Sequence, residues 1–134
     1  MSKFNKSIKV DAVLWDFDGT LADSAAKNIA ITKQILKRVA PRLTGENLPS
    51  ALHNEHNYHA ANHGADHWRD LYRDLFGMTS VEIEAAGPLW ETYQMLDNTA
   101  VTLFEGVFET VTRLAGLPQG ICSANATRNI TRVL

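Results

Sequence analysis

The stretch Asp16-Phe17-Asp18-Gly19-Thr20-Leu21-Ala22-Asp23-Ser24, set directly after the apolar run Val10–Trp15, decides how the chain is read. Two carboxylates one residue apart at the end of a buried strand repel strongly in a low-dielectric site, so they coexist only with a cation or a proton between them. A divalent metal ion meets that need. Residues two apart on an extended chain face the same side, which directs the carboxyls of Asp16 and Asp18 into one space. Gly19 permits a sharp turn out of the strand, and Thr20 places a small hydroxyl where an anion can be held. A calcium loop of the EF-hand kind also opens on Asp-x-Asp, but it requires a third acid and a glycine at its sixth position, whereas Gly19 stands fourth. An ordinary solvated turn uses the same residue types, yet it does not account for the strand, turn and helix start that a phosphate site requires together.

Length and composition narrow the setting. The 134 residues suffice for one ordinary domain with a core, not for two full ones. Acidic and basic side chains nearly cancel, leaving a formal charge of −2, so neither nucleic acid nor an anionic membrane surface is expected as the main partner. Recognition of an anionic substrate must then be local. Cys122 is the single cysteine, which excludes an internal disulfide and suits a reducing compartment. No apolar run reaches membrane-spanning length, and Met1-Ser2-Lys3-Phe4-Asn5-Lys6 lacks the apolar centre of a secretion signal. A soluble cytoplasmic protein is expected.

Periodicity predicts the elements. Residues 8–16 form a nearly continuous apolar strand of the kind covered on both faces, which favours a parallel, doubly wound sheet. Asp23 or Ser24 caps a helix running to about Val39, with Lys37 and Arg38 at its negative end, Pro41 as its stop, and Ile29, Ile31, Ile35, Leu36 and Val39 facing inward. From Pro49 to Asp97 the pattern is helical almost throughout. Trp68, Leu71, Tyr72, Leu75 and Phe76 form one face behind a cap at Asp66, with Gly77 as terminator. Thr79-Ser80-Val81-Glu82 is a capping box opening a helix that bends or restarts near Gly87-Pro88 and turns Leu89, Trp90, Tyr93 and Leu96 inward. A helix over 107–115, a short strand over 120–123 and a helix over 126–134 complete the order.

DFDGTLADS at the end of an amino-terminal apolar strand resembles the first motif of the haloacid dehalogenase-like hydrolase superfamily, in particular its phosphoglycolate phosphatase and beta-phosphoglucomutase-like branch. The resemblance implies an α/β fold: a Rossmann-like parallel-sheet core over 1–22 and 105–134, incomplete here, interrupted by a helical cap over 23–104 that closes on the active site. Its hinges would lie near Ala22–Ser24 and Thr102–Gly106, and closure would exclude water and select the leaving group. It implies that Asp16 is the nucleophile that becomes an aspartyl phosphate. Asp18 would protonate the leaving oxygen, then activate water, and its carbonyl would join Asp16 in holding Mg2+. Carboxylates serve as covalent acceptors of phosphoryl groups, and Mg2+ reduces the repulsion between two anions while orienting the transferred group.

Gly120-Ile121-Cys122-Ser123-Ala124-Asn125 is similar to the family's second motif, a hydroxyl at a strand tip. By position Ser123 binds the phosphoryl oxygen, with the Ala124 amide and the Asn125 side chain as further donors, beside Gly19 and Thr20 in the first loop. An Asn or Ser capping the following helix is the structural alternative. The family's third motif, a Lys or Arg, and its fourth, an acidic pair, have no counterpart: after Ser123 the chain contains no Lys, Asp or Glu, and Arg128 and Arg132 stand on the helix that follows the second motif. Two parallel strands cannot cover their own edges and faces, so the chain is expected to be the first part of a longer phosphatase, or else to draw its missing strands from an oligomeric partner. The implied activity is removal of phosphate from a small phosphorylated metabolite such as phosphoglycolate or a sugar phosphate. A phosphomutase of the same family shares both aspartates, a dehalogenase lacks an acid at the place of Asp18, and a catalytically inert binding or regulatory domain would fit the missing motifs.

His53, His56, His59, His63 and His67 recur at helical spacing and would span an arc of about 120° on one helix. Imidazoles one turn apart can chelate zinc. Without a carboxylate clearly on the stripe, a polar cap face toward solvent or the active-site entrance is the favoured reading. Within it, His56, His59, His63, Arg69 and Arg73 are candidates for contacting substrate.

Overall fold

The computed structural model describes residues 7–134; the opening segment, expected to lack a secretion signal, lies outside the described residues. Strand β1, Val13–Trp15, pairs in parallel with β4, Gln119–Ile121, with Trp15 opposite Ile121. The ladder is flanked by bonds from the Val13 amide to the Pro118 carbonyl, 3.0 Å, and from the Cys122 amide to the Trp15 carbonyl, 2.8 Å. A side chain at Gly120 would press on Leu14 Cδ2 at 3.3 Å, so glycine there allows the two strands to approach. The expectation of a strand over 8–16 covered on both faces is corrected: Leu14 is 76% and Ile8 84% exposed. Among the described residues β1 has one partner strand and nothing lies against the outer side of Leu14, so neither the length of the strand nor its second face is stabilised. The second strand likewise begins one residue earlier than expected and ends at Ile121.

The chain leaves and re-enters the sheet through a second, antiparallel pair: β2, Ala22–Asp23, against β3, Thr102–Leu103. Between them lies a helical block. Helix α1, Ala25–Val39, ends on Lys37 and Arg38 as expected, and buries Ile29, Ile31, Ile35 and Leu36. Short 3-10 turns lead to α2, Glu55–His63, capped by Asn54, whose side chain accepts the Asn57 amide at 2.8 Å. The next helix, α3, Trp68–Asp70, is capped by His67 rather than by Asp66: the His67 ring nitrogen accepts the Arg69 amide at 3.2 Å. It passes directly into a π-turn over Leu71–Leu75. The additional residue in that turn rotates Leu75 off the buried face, leaving it 57% exposed while Leu71, Tyr72 and Phe76 are buried.

Helix α4, Ser80–Leu96, opens on the expected capping box, with Thr79 and Glu82 each holding the other's amide. It neither stops nor restarts at Pro88. The missing amide leaves only one exposed turn of the helix short of a bond. Of the residues expected inward, Leu89, Trp90 and Tyr93 pack on the core, while Leu96 is exposed and Gln94 is buried instead. Helix α5, Val107–Arg113, connects to β4, and α6, Thr127–Val133, follows it. The helical block has its own core around Ile31, Ile35, Leu36 and Leu52; a smaller cluster of Phe17, Leu21 and Ala22 lies beneath the strands. No helix among the described residues is long and apolar enough to cross a membrane.

Candidate active site

The first loop is a tight turn closed on one carbonyl. The amides of Thr20, Leu21 and Ala22 all donate to Phe17 O, and the Gly19 amide donates to Ala22 O at 2.9 Å. Gly19 stands at φ 78°, in the left-handed region where a side chain is strained. Phe17 is 1% exposed and anchors the turn from below. Asp16 and Asp18, on either side of it, are carried at the carboxyl end of β1, the end at which parallel α/β sheets place their ligands. Asp16 is exposed, and its Oδ2 accepts the Thr20 hydroxyl at 3.0 Å.

Asp18 is held from two sides. Ser24 donates to Oδ1 at 2.7 Å, and the Asn125 side-chain amide donates to Oδ2 at 3.2 Å. Ser24 occupies the cap position of α1, but its side chain makes no capping bond; the hydroxyl is directed to Asp18 instead. Asn28 donates to Ser24 at 3.4 Å and accepts from Gln94 at 3.0 Å, so a buried polar chain joins Asp18 to α1 and then to α4. Sequence reasoning missed Ser24, Asn28 and Gln94. The available signal was Asn28, one turn after Ser24 on a face otherwise filled by Ile31, Ile35 and Leu36, where a polar residue requires a partner.

The second loop meets the first. The bond from Cys122 to Trp15 brings residues 123–125 beside the end of β1. The Ser123 hydroxyl accepts the Asn125 amide at 3.1 Å, which leaves its own proton for an acceptor outside the loop. The side chain of Asn125, expected as a phosphate donor, contacts Asp18, and its carbonyl oxygen accepts from Asn129 at 3.1 Å. Ala124 is exposed on the same loop and lines the larger of two cavities that border Asp18.

Those cavities meet at Asp18 and Asn125. The smaller, about 120 Å³, is polar and carries Lys27 and Arg132. Burial, and then the positive charge of Arg132, push the Lys27 ammonium below its ordinary pKa. The larger, about 330 Å³, runs into the helical block past Tyr58, Trp68, Tyr72 and Trp90. Burial raises the Tyr58 phenol well above its usual range, with Tyr72 and Asp18 adding to the effect, and burial pushes Tyr72 up to about 12.

The histidines do not share one helix. His56, His59 and His63 lie on α2, His53 precedes its cap and His67 caps α3. A break at Gly64–Asp66 separates them. His59, partly buried and stacked on His63 at 6.4 Å, reaches the first loop: its Cε1 is 3.9 Å from where a Gly19 side chain would begin. Arg69 lies over the Trp68 ring at 4.6 Å and pairs with Glu84, and Arg73 pairs with Asp70 and Asp74. Among the described residues no three His, Cys, Asp or Glu side chains converge as a metal site.

A family described as haloacid dehalogenase-like hydrolase matches residues 13–134. Among solved structures, the chain is similar to a provisionally assigned haloacid dehalogenase-like hydrolase from Bacteroides fragilis, with a TM-score of 0.68 and 21% identity, covering 92% of this chain and 56% of that one. It is also similar to a provisionally assigned phosphatase from Clostridium difficile, with a TM-score of 0.63 and 15% identity, covering 94% of this chain and 54% of that one. The chain thus spans little more than half the length of these structures, and at such identities the likeness is one of fold. No curated protein matches it.

Proposed function

Because the chain belongs to the haloacid dehalogenase-like hydrolase family, we propose that it carries the nucleophile and the acid/base group of a phosphatase acting on a small phosphate monoester. The observation that carries this reading is the pairing of an exposed Asp16 with an Asp18 whose carboxyl is clamped by Ser24 and Asn125. The assignment of the Clostridium difficile relative points the same way.

A carboxylate oxygen of Asp16 attacks phosphorus as the bond from phosphorus to the leaving oxygen breaks. Asp18, in its protonated form, gives that oxygen its proton. Asp18 then takes a proton from water, the water oxygen attacks the aspartyl phosphate, and inorganic phosphate leaves with the Asp16 carboxylate restored. Ser24 and Asn125 fix the direction of the Asp18 carboxyl through both steps. Ser123 and the Ala124 amide supply donors to the phosphoryl oxygens, and Thr20 keeps the Asp16 carboxylate in place.

The donor set suits Mg2+, which takes hard oxygen ligands and keeps several waters. With both oxygens of Asp18 committed to hydrogen bonds, the Asp16 carboxylate and the Asp18 main-chain carbonyl are the groups that would hold it, the substrate phosphate and water completing the shell. When bound, Mg2+ supplies charge neutralisation between carboxylate and phosphate.

Hydrolysis of p-nitrophenyl phosphate by the intact protein with Mg2+ tests the proposal. Asp16→Asn is expected to lower kcat by roughly 10⁴-fold or more, and beryllofluoride to form an adduct at Asp16. Equal rates for both proteins, with no adduct, would leave an inert scaffold.

A further inference from the structure

The larger cavity differs in chemistry from the loops it adjoins. Asp18, Ala124 and Asn125 are among its lining residues, so the leaving group that Asp18 would protonate has this cavity beside it. That interior is lined by Trp68, Leu71, Tyr72, Phe76 and Trp90. Trp68 meets Tyr72 edge-on at 5.3 Å, and Tyr72 stacks on Phe76 at 5.1 Å, giving an aromatic wall suited to flat or apolar groups.

Charge is distributed unevenly about Asp18. Lys27 and Arg132 line the small polar cavity, whereas no Lys, Arg or His is among the described residues lining the large one. The Tyr58 and Tyr72 phenols stay protonated there. A second anionic group on the substrate would therefore be desolvated without a cation to pair it. The polar side chains of the cavity are largely committed already: Asn28 joins Ser24 to Gln94, Thr32 donates to the Asn28 carbonyl at 2.7 Å, and the Asn62 amide donates to the Tyr58 carbonyl at 2.8 Å. A polyhydroxylated sugar would bring more donors than such a wall can pair, and each buried donor left unpaired weakens binding. At about 330 Å³, the cavity lies at the small end of ligand sites, which run from about 300 to 1,000 Å³.

We propose, resting on the phosphatase reading above, that the substrate is the phosphate monoester of an uncharged, predominantly apolar alcohol about one ring in size, its carbon skeleton held among Trp68, Tyr72, Phe76 and Trp90. A phosphoglycolate-like or sugar-phosphate substrate is disfavoured by the same wall.

Steady-state kinetics of the intact protein with Mg2+ on benzyl phosphate, phosphoglycolate, glucose 6-phosphate and acetyl phosphate separate the outcomes. Benzyl phosphate is expected to exceed phosphoglycolate and glucose 6-phosphate at least tenfold in kcat/KM. Gly87 lines the cavity, and a side chain there starts 3.6 Å from the Trp68 ring. Gly87→Leu is expected to raise KM for benzyl phosphate about tenfold and to affect acetyl phosphate, which has no ring to seat, several times less. Turnover of acetyl phosphate with equal or better use of the charged or sugar substrates would overturn the inference and leave the phosphatase reading intact. An equal loss on benzyl and acetyl phosphates in a folded Gly87→Leu protein would also overturn it, and the wild-type comparison decides alone if that variant does not fold. No turnover of any of the four would sink the phosphatase reading and this one with it.

Discussion

Among the described residues, the helical block between Ala25 and Leu96 buries thirteen hydrophobic residues in one cluster, while the loop that carries Asp16 and Asp18, with the start of β2, buries three, Phe17, Leu21 and Ala22. The side of the molecule that holds the two aspartates is thus not the side that holds most of the apolar burial, which is the dominant favourable contribution to folding. The two are coupled by polar contacts rather than by a shared core: Ser24, Asn28 and Gln94 run from Asp18 into α1 and α4, and the β2–β3 ladder ties the two crossings of the chain together. Such a link keeps the carboxyl aimed even where little apolar surface is buried around it.

Breaking the helical core should show the largest effect. Leu36 is fully buried, and Leu36→Ala is expected to destabilise the helical block by about 2–5 kcal/mol, read as a lowered urea midpoint in far-UV circular dichroism. Trp15 reports the sheet side, and Trp68 and Trp90 the helical side. If single-tryptophan proteins show both sides shifting equally, the contrast in burial does not translate into separate stability.

The polar link comes next. Ser24→Ala is expected to lower kcat about tenfold to a hundredfold, since small misplacements of reacting groups have that effect, with KM little changed and Ser24→Thr restoring most of the rate. A change in KM alone would mean that Ser24 serves the substrate and not Asp18.

A smaller effect is expected at the α4 capping box. The Thr79 amide, followed by Arg42, holds the Glu82 carboxyl below its ordinary pKa, against an opposing desolvation. A lowered folded value means that this stabilisation is complete above the ordinary glutamate pKa of about 4.3 and disappears as pH falls through the lower folded value. Glu82→Gln should therefore cost about 0.3–1 kcal/mol near neutral pH, with the gap closing in acid; a pH-independent gap would assign the effect to shape. Smallest of all, Leu14→Thr, at an exposed strand position, should change stability by less than about 0.5 kcal/mol. A larger loss would show that the open face of β1 is covered in solution.

Much of this was legible in the residues. The apolar run ending in DFDGT placed the carboxylates at a strand end, the spacing of Ile29 to Leu36 placed the buried face of α1, and the Thr79–Glu82 pair placed the start of α4, because each depends on local geometry. The misreadings arose where a neighbour decides. Leu14 reads as buried until the number of adjacent strands is counted, Leu75 reads as inward until the π-turn rotates it, and Ser24 reads as a cap until its hydroxyl is found donating to Asp18 and accepting from the Asn28 side chain.

The order of residues alone therefore determined the family, the two aspartates and the alternation of strand and helix, since these rest on spacing along the chain. The tertiary structure alone decided that Ser24 and Asn125 clamp Asp18, that His59 reaches the loop at Gly19, and that an aromatic cavity, with no cation among the described residues lining it, opens beside Asp18. Those depend on which side chains from distant segments meet, and the identity of such partners is not encoded in any local stretch.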